Sequence, residues 1–277
     1  MKRNSPLRKK AAKKKGTEAP REPVHAHDAF PIVGIGASAG GFEAFAEMLK
    51  HLPEHTGMAY VFVQHLDPTH SSVLTEILSR TTKIPVVEVK DGMKPTPDRI
   101  HVMPANTTML MRNQELRLSA RTLVRGQHLP IDRFLHSLAE ERGNQAIAVI
   151  LSGTASDGTE GCRAIKAGGG ITFAQDEESA KFVSMPRSAV MAGCIDFVLP
   201  PKKIAQELTR IGRHPYIAHK RPKTELPLGG PMGDEFLDLL SMVRENSGVD
   251  FGLYKQTTLQ RRIRRRMVLH RLESVKD

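Results

Sequence analysis

The sequence predicts an α/β fold: a doubly wound, mainly parallel sheet with helices on both faces and a β-hairpin, followed by a small all-α segment. Three observations carry this. Short, continuously apolar runs at residues 32–35, 58–63 and 146–151 alternate with stretches of helical period, as buried parallel strands do between crossover helices. Each of these runs leads into a short loop motif flanked by Gly or Pro: Gly36-Ala-Ser38-Ala-Gly40, Gln64-His65-Leu-Asp-Pro68 and Ser152-Gly-Thr-Ala-Ser-Asp157-Gly158. Past residue 233 only helical periodicity remains.

The elements follow in order. Residues 1–29 are rich in Lys, Ala and Pro with almost no large apolar side chains, so a disordered basic tail is expected. After the strand at 32–35, Phe42, Phe45, Leu49 and Leu52 recur at helical spacing. The strand at 58–63 precedes a helix over 72–79 and short strands at 85–88 and 100–102. Residues 108–111 and 115–118, joined by Arg112-Asn-Gln114, read as a hairpin with a polar turn. A helix over 131–142 leads into the clearest buried strand, 146–151. A helix over 161–167, strands at 170–173 and 195–198, and a helix carrying Ile204, Leu208 and Ile211 close the domain, which spans residues 30–212. Residues 213–233, rich in Pro, Gly and Lys, read as a linker. The last unit, 234–277, holds a helix with Phe236, Leu239, Leu240 and Val243 on one stripe. A second helix, 258–272, carries Leu259, Ile263 and Met267.

Charge narrows the partners. The chain of 277 residues has a net charge of +11, but eight basic residues lie in 1–15 and six arginines in 259–271, with no acid in either stretch. The remainder is mildly acidic. A nucleic-acid enzyme would line its central groove with positive charge, so no specific nucleic-acid partner is expected. The tail reads either as an attractor of acidic partners or as a solubilising extension. No apolar run approaches the roughly 20 residues that span a bilayer, so no membrane insertion is expected. With only Cys162 and Cys194, and no metal-type spacing, the plain reading is a reduced, cytoplasmic protein.

The chemistry concentrates in the three loop motifs. The carboxyl ends of parallel strands open onto one crevice, and Ser38, His65 and Asp157 delivered there are the parts of an acyl-transfer triad. The glycine-rich turn also satisfies the G-x-G-x-x-A dinucleotide pattern, and either reading puts free amides and a helix N-terminus beside an anion. Dinucleotide binding wants an acid at the end of the next strand. That strand ends instead in Gln64-His65, with Asp67 further on in a turn, and a histidine there suits proton transfer. Asp157 alone reads equally as a helix N-cap. Backbone N–H groups of Ser38 and Ala39 are the expected oxyanion donors. No metal or cofactor is required by this chemistry.

The stretches IVGIGASAGGFEAF, YVFVQHLDP, HVMPAN, PIDRFLHSLAE, AVILSGTASDGTEG, GGGITFAQDEESAKFVSMPRSAV and IDFVLPPKKIA, collinear over residues 31–211, resemble the catalytic domain of the CheB-type chemoreceptor protein-glutamate methylesterases. The resemblance implies Ser38 as nucleophile, His65 as general base and acid, and Asp157 as the residue orienting the imidazole. Its implied substrates are glutamate 5-methyl esters on methylated chemoreceptor cytoplasmic helices, with deamidation of glutamines as a second activity. Where the family commonly has L-T-G-M-G-x-D-G, this chain has Thr154 and Ala155 beside the site, changes that bear on substrate fit. Family members typically carry a receiver domain ahead of the first strand. This sequence shows none, so no control by phosphorylation in cis is expected.

Residues 236–267, with Gly248-Val-Asp-Phe251, Tyr254-Lys255 and the arginine run, resemble the N-terminal helical domain of CheR-type receptor methyltransferases. No S-adenosylmethionine domain follows, so a fragment of a methylesterase–methyltransferase fusion is expected, without methyltransferase activity. Arg261/Arg265 and Arg262/Arg266 are i,i+4 pairs away from the Leu259–Ile263–Met267 stripe. They read as a docking face for acidic receptor helices, or as a solvated basic face. The competing readings of the whole chain are a catalytically silent receptor- or partner-binding module and a nucleic-acid binder working through its basic ends.

Overall fold

The computed structural model describes residues 30–65, 71–121, 128–214, 217, 234–275 and 277. The predicted basic tail, Asp67 and nearly all of the predicted linker lie outside them.

Seven strands form one sheet in the order β3-β4-β2-β1-β7-β8-β9, every neighbouring pair parallel. They are β1 (Ile32–Ala37), β2 (Ala59–Gln64), β3 (Val86–Glu88), β4 (Arg99–Val102), β7 (Ala146–Ile150), β8 (Ile171–Gln175) and β9 (Phe197–Leu199). The predicted hairpin is a separate antiparallel pair, β5 (Thr107–Arg112) and β6 (Glu115–Ala120), turning at Asn113-Gln114, both with positive φ. The winding runs outward from β1 through β2, then returns across β1 to β7 and continues to β9. The switch of direction therefore falls between β1 and β7.

The central strands β1, β2, β7 and β8 are buried on both faces, which is why their sequences read as nearly unbroken apolar runs. One face packs Val33, Ile35, Tyr60, Phe62, Val149 and Phe173 against α1 (Gly41–Leu49), α2 (Ser71–Thr81) and α6 (Pro201–Arg213). The other packs Ile32, Val61, Ala148 and Ile150 against α3 (Pro130–Arg142), α4 (Thr159–Ala167), α5 (Ser184–Met191) and the hairpin. The helix α3 lies directly on β1 because Gly34 and Gly36 have no side chain on that face. A Cβ at Gly34 would stand 2.7 Å from Leu135, and one at Gly36 2.4 Å from Ile131. These two glycines of the dinucleotide-like pattern thus serve helix–sheet packing.

The helix α5 is the element that sequence periodicity missed. Pro186 lies in its first turn, and its buried residues Met185, Pro186 and Ala189 form too short a stripe to stand out.

The C-terminal segment forms α7 (Asp234–Ser247) and α8 (Gln256–His270). The helix α8 packs on the α/β domain. Val268 is fully buried in the same core cluster as α1 and α6, and Arg210 of α6 donates to its carbonyl at 2.9 Å. Among the described residues, no helix is long and apolar enough to cross a membrane.

Candidate active site

The register of the sheet places the first two candidates side by side. Ala37 pairs with Gln64 at the ends of β1 and β2, so Ser38 and His65 are the next pair along neighbouring strands about 4.8 Å apart. The ladder continues one step into the loops, with the His65 N–H donating to the Ala37 carbonyl at 3.3 Å. On the other side of β1 the Ser38 N–H donates to the Ser152 carbonyl at 3.1 Å, tying the serine to the loop after β7. Ser38 is thus held between the ends of β2 and β7, at the winding switch, and is 8% exposed.

Asp157 arrives on the loop between β7 and α4. Its Oδ2 lies 2.6 Å from His65 Nε2 and accepts from the Ile131 N–H at 3.0 Å; its Oδ1 accepts from the Asp132 N–H at 2.9 Å. The carboxylate is buried but sits on free amides at the N-terminus of α3, where backbone donors and the helix dipole favour negative charge. Asp157 thus caps a helix and meets His65 with the same carboxylate, though the helix it caps is α3, not its own. With Nε2 on Asp157, Nδ1 of His65 is the nitrogen left for a nucleophile. The Ser38 hydroxyl forms no hydrogen bond to His65 in this structure.

One expectation changes. The Ser38 N–H is already given to Ser152, so it is not a free oxyanion donor. The Ala39 N–H makes no hydrogen bond among the described residues. It stands just before Gly40, whose left-handed backbone (φ 69°) leads into α1. The Gly41 N–H, first in α1, is given to the Ser38 carbonyl at 2.9 Å, so of the two expected oxyanion donors only the Ala39 amide is left open.

Thr154 and Ala155 are exposed on the loop that delivers Asp157. Ala155 has φ 65°, the region that favours glycine, at the position where the family motif has one.

Several site residues were not evident from the sequence. Ser152 is fully buried; its Oγ donates to the Ala39 carbonyl and accepts from the Phe182 N–H, each at 2.9 Å, while its own N–H donates to Gln175 Oε1. It thereby joins the Ser38 turn to residues 181–185. His128 stacks at a tilt 6.2 Å from His65. Burial and the positive charge of Arg121 hold it below the ordinary histidine range. Ser152 opens the motif that carries Asp157 but had no role assigned to it, and no motif announced His128; both matter through position.

The arginine reading needs correction. Arg261, Arg262 and Arg266 are exposed, but Arg265 is not available for docking. Its Nη2 lies 2.5 Å from Asp196 Oδ2 and its Nε donates to the Gly170 carbonyl at 2.9 Å. The face opposite Leu259–Ile263–Met267 is the face that meets the α/β domain, so Val268 and Arg265 turn inward together. Gly170 and Asp196 precede β8 and β9, so this contact lies at the strand ends opposite Ser38.

The sequence pattern of the CheB methylesterase family matches residues 33–208. The chain belongs to that family. Residues 234–277 match the all-alpha domain of CheR methyltransferases. A protein-glutamate methylesterase/protein-glutamine glutaminase of Carboxydothermus hydrogenoformans is 33% identical over 199 residues, 70% of this chain and 58% of that protein. A protein-glutamate methylesterase of Myxococcus xanthus is 34% identical over 180 residues, 65% of this chain and 54% of its own length. The chain thus spans about half the length of these curated relatives. The crystal structure of the Thermotoga maritima CheB methylesterase catalytic domain superposes with a TM-score of 0.61 at 30% identity, covering 66% of this chain and 98% of that one.

Proposed function

We propose that this CheB-family chain hydrolyses glutamate 5-methyl esters on chemoreceptor proteins in the cytoplasm, with Ser38, His65 and Asp157 as its triad. The observation that carries the reading is the 2.6 Å contact between His65 and Asp157 at the winding switch, with Ser38 the register mate of His65. In the first step Ser38 Oγ attacks the ester carbonyl carbon and gives its proton to His65 Nδ1. The buried Asp157 carboxylate supports the resulting imidazolium through Nε2. The tetrahedral oxyanion meets the Ala39 amide. Collapse breaks the C–O bond, and methoxide leaves with the proton from His65 as methanol. Water then attacks the glutamyl-Ser38 ester, passing a proton to His65, which returns it to Ser38 as glutamate departs. The same sequence applied to a glutamine side chain releases ammonia.

The extent of the match to methylesterase relatives, and the exposure of Thr154 and Ala155 beside Asp157, support a protein side chain as the substrate. Exposed Arg261, Arg262 and Arg266 supply positive charge for acidic receptor helices. A fluorophosphonate probe tests the nucleophile: stoichiometric labelling of wild type at Ser38, absent in Ser38→Ala, is expected. Folded wild-type protein that resists the probe would favour the silent binding module instead.

A further inference from the structure

The residue just inside α3, Asp132, has no part in the proposed chemistry, yet it is built into the support of Asp157. Asp132 Oδ1 accepts from the Gly161 N–H at 2.7 Å, in the first turn of α4. The Asp132 N–H meanwhile donates to Asp157 Oδ1. The two aspartates are therefore exchanged caps. Asp157, which precedes α4, caps α3; Asp132, which belongs to α3, caps α4. Such reciprocity requires the two helix starts to lie very close. Glycine permits it: a Cβ at Gly161 would stand 2.6 Å from Leu135, and one at Gly158 2.9 Å from Ile131.

We propose that Asp132 is the positioning residue that holds Asp157 against His65, by clamping to α3 the start of α4, where the turn that carries Asp157 ends. The inference rests on the triad reading above. The clamp acts at the fourth residue after Asp157, in the first turn of α4, so it fixes where the turn that carries the Asp157 side chain ends against α3. Without it, the turn between β7 and α4 keeps its internal bond, Thr159 N–H to the Ser156 carbonyl, and the α3 amides on Asp157, but α4 loses the carboxylate that ties its first turn to α3. Misplacement of a catalytic group by about 1 Å costs on the order of 10²-fold in rate.

The test compares Asp132→Ala, Asp132→Asn and Asp132→Glu in the full chain. Readouts are kcat and KM on methyl-esterified receptor fragments, and the far-downfield proton resonance of the His65–Asp157 hydrogen bond. Asp132→Ala is expected to lower kcat roughly 10²-fold with KM within about threefold, and to broaden the resonance away. Asp132→Asn keeps the accepting oxygen and should recover to within about threefold of wild type. A folded alanine variant with wild-type kcat and an intact resonance would overturn the proposal. If the alanine variant does not fold, the other two decide. Asn near wild type with Glu at least about tenfold lower supports the clamp, and equal kcat for the two contradicts it. Hydrolysis that survives Ser38→Ala would instead remove the triad reading, and the resonance in the Asp132 variants would still decide the clamp.

Discussion

Ser38 and His65 are register mates: each is the first residue beyond the Ala37–Gln64 pair that ends two adjacent parallel strands. Their proximity is set by sheet geometry and needs no long-range loop packing. Asp157 is different. It reaches His65 because α3 offers the amides of Ile131 and Asp132 to its carboxylate.

Replacing Asp157 should therefore separate catalysis from stability. Asp157→Asn is expected to lower kcat by on the order of 10⁴-fold, since an amide can no longer hold and charge-balance the imidazole. It retains one acceptor for the α3 amides and should cost little stability. Asp157→Ala removes the cap as well and should cost about 1–2 kcal/mol. Ester hydrolysis and urea unfolding on both variants check the pair. Equal stability of the two would show that α3 does not depend on this cap.

Asp132 predicts a pH dependence of folding. Burial, reinforced by the neighbouring Asp157 and Glu160 charges and opposed by the Gly161 and Gly158 amides, lifts its pKa to about 6. The unfolded value is about 3.9, so between the two the native state binds more protons and stability falls as pH rises through this window. Asp132→Asn does not titrate. The stability of wild type relative to Asp132→Asn should fall by on the order of 2 kcal/mol between about pH 4 and pH 7, the carboxylate being only partly desolvated. Denaturant unfolding across that range reads it out, and a flat difference would contradict it.

The sheet, the hairpin and most helices were legible in the sequence because each depends on a short, repeated pattern: apolar runs for strands buried on both faces, and three-to-four spacing for helices. The positions of Ser38, His65 and Asp157 at strand ends were legible for the same reason. What escaped was set by tertiary packing. Arg265 sits in a run that reads as a solvated basic face, and only the approach of α8 to β8 and β9 shows that it meets Asp196. Ser152 and Asp132 act through bonds to segments 30 and 29 residues away, a distance no local pattern reports.

The Arg265–Asp196 pair should anchor α8. The Asp196 side chain is 4% exposed and also accepts from Thr172 N–H and Oγ1 at 3.0 Å. Arg265→Ala strips one partner from a buried carboxylate, a change that typically costs about 3 kcal/mol or more where nothing compensates. Lys166 at 3.4 Å and Thr172 soften this, so about 1–3 kcal/mol is expected, spent mainly on releasing α8. Hydrogen exchange over residues 256–270 should quicken, while ester hydrolysis stays within about twofold. Unchanged exchange would show that Val268 packing alone holds the helix.

Ala155 carries left-handed strain beside the site. Ala155→Gly removes roughly 1–2 kcal/mol of strain against about 0.5–1 kcal/mol of added chain entropy. A net gain below about 1 kcal/mol is expected in thermal unfolding. A clear loss of stability would mean that the methyl group makes a contact worth more than the strain.

The central claim is the triad, and methanol release from methyl-esterified receptor cytoplasmic fragments tests it most directly. Wild type should release methanol, and Ser38→Ala should lose at least about 10³-fold of that rate with its fold intact. Release undiminished in the mutant, or absent from folded wild type, would contradict the account.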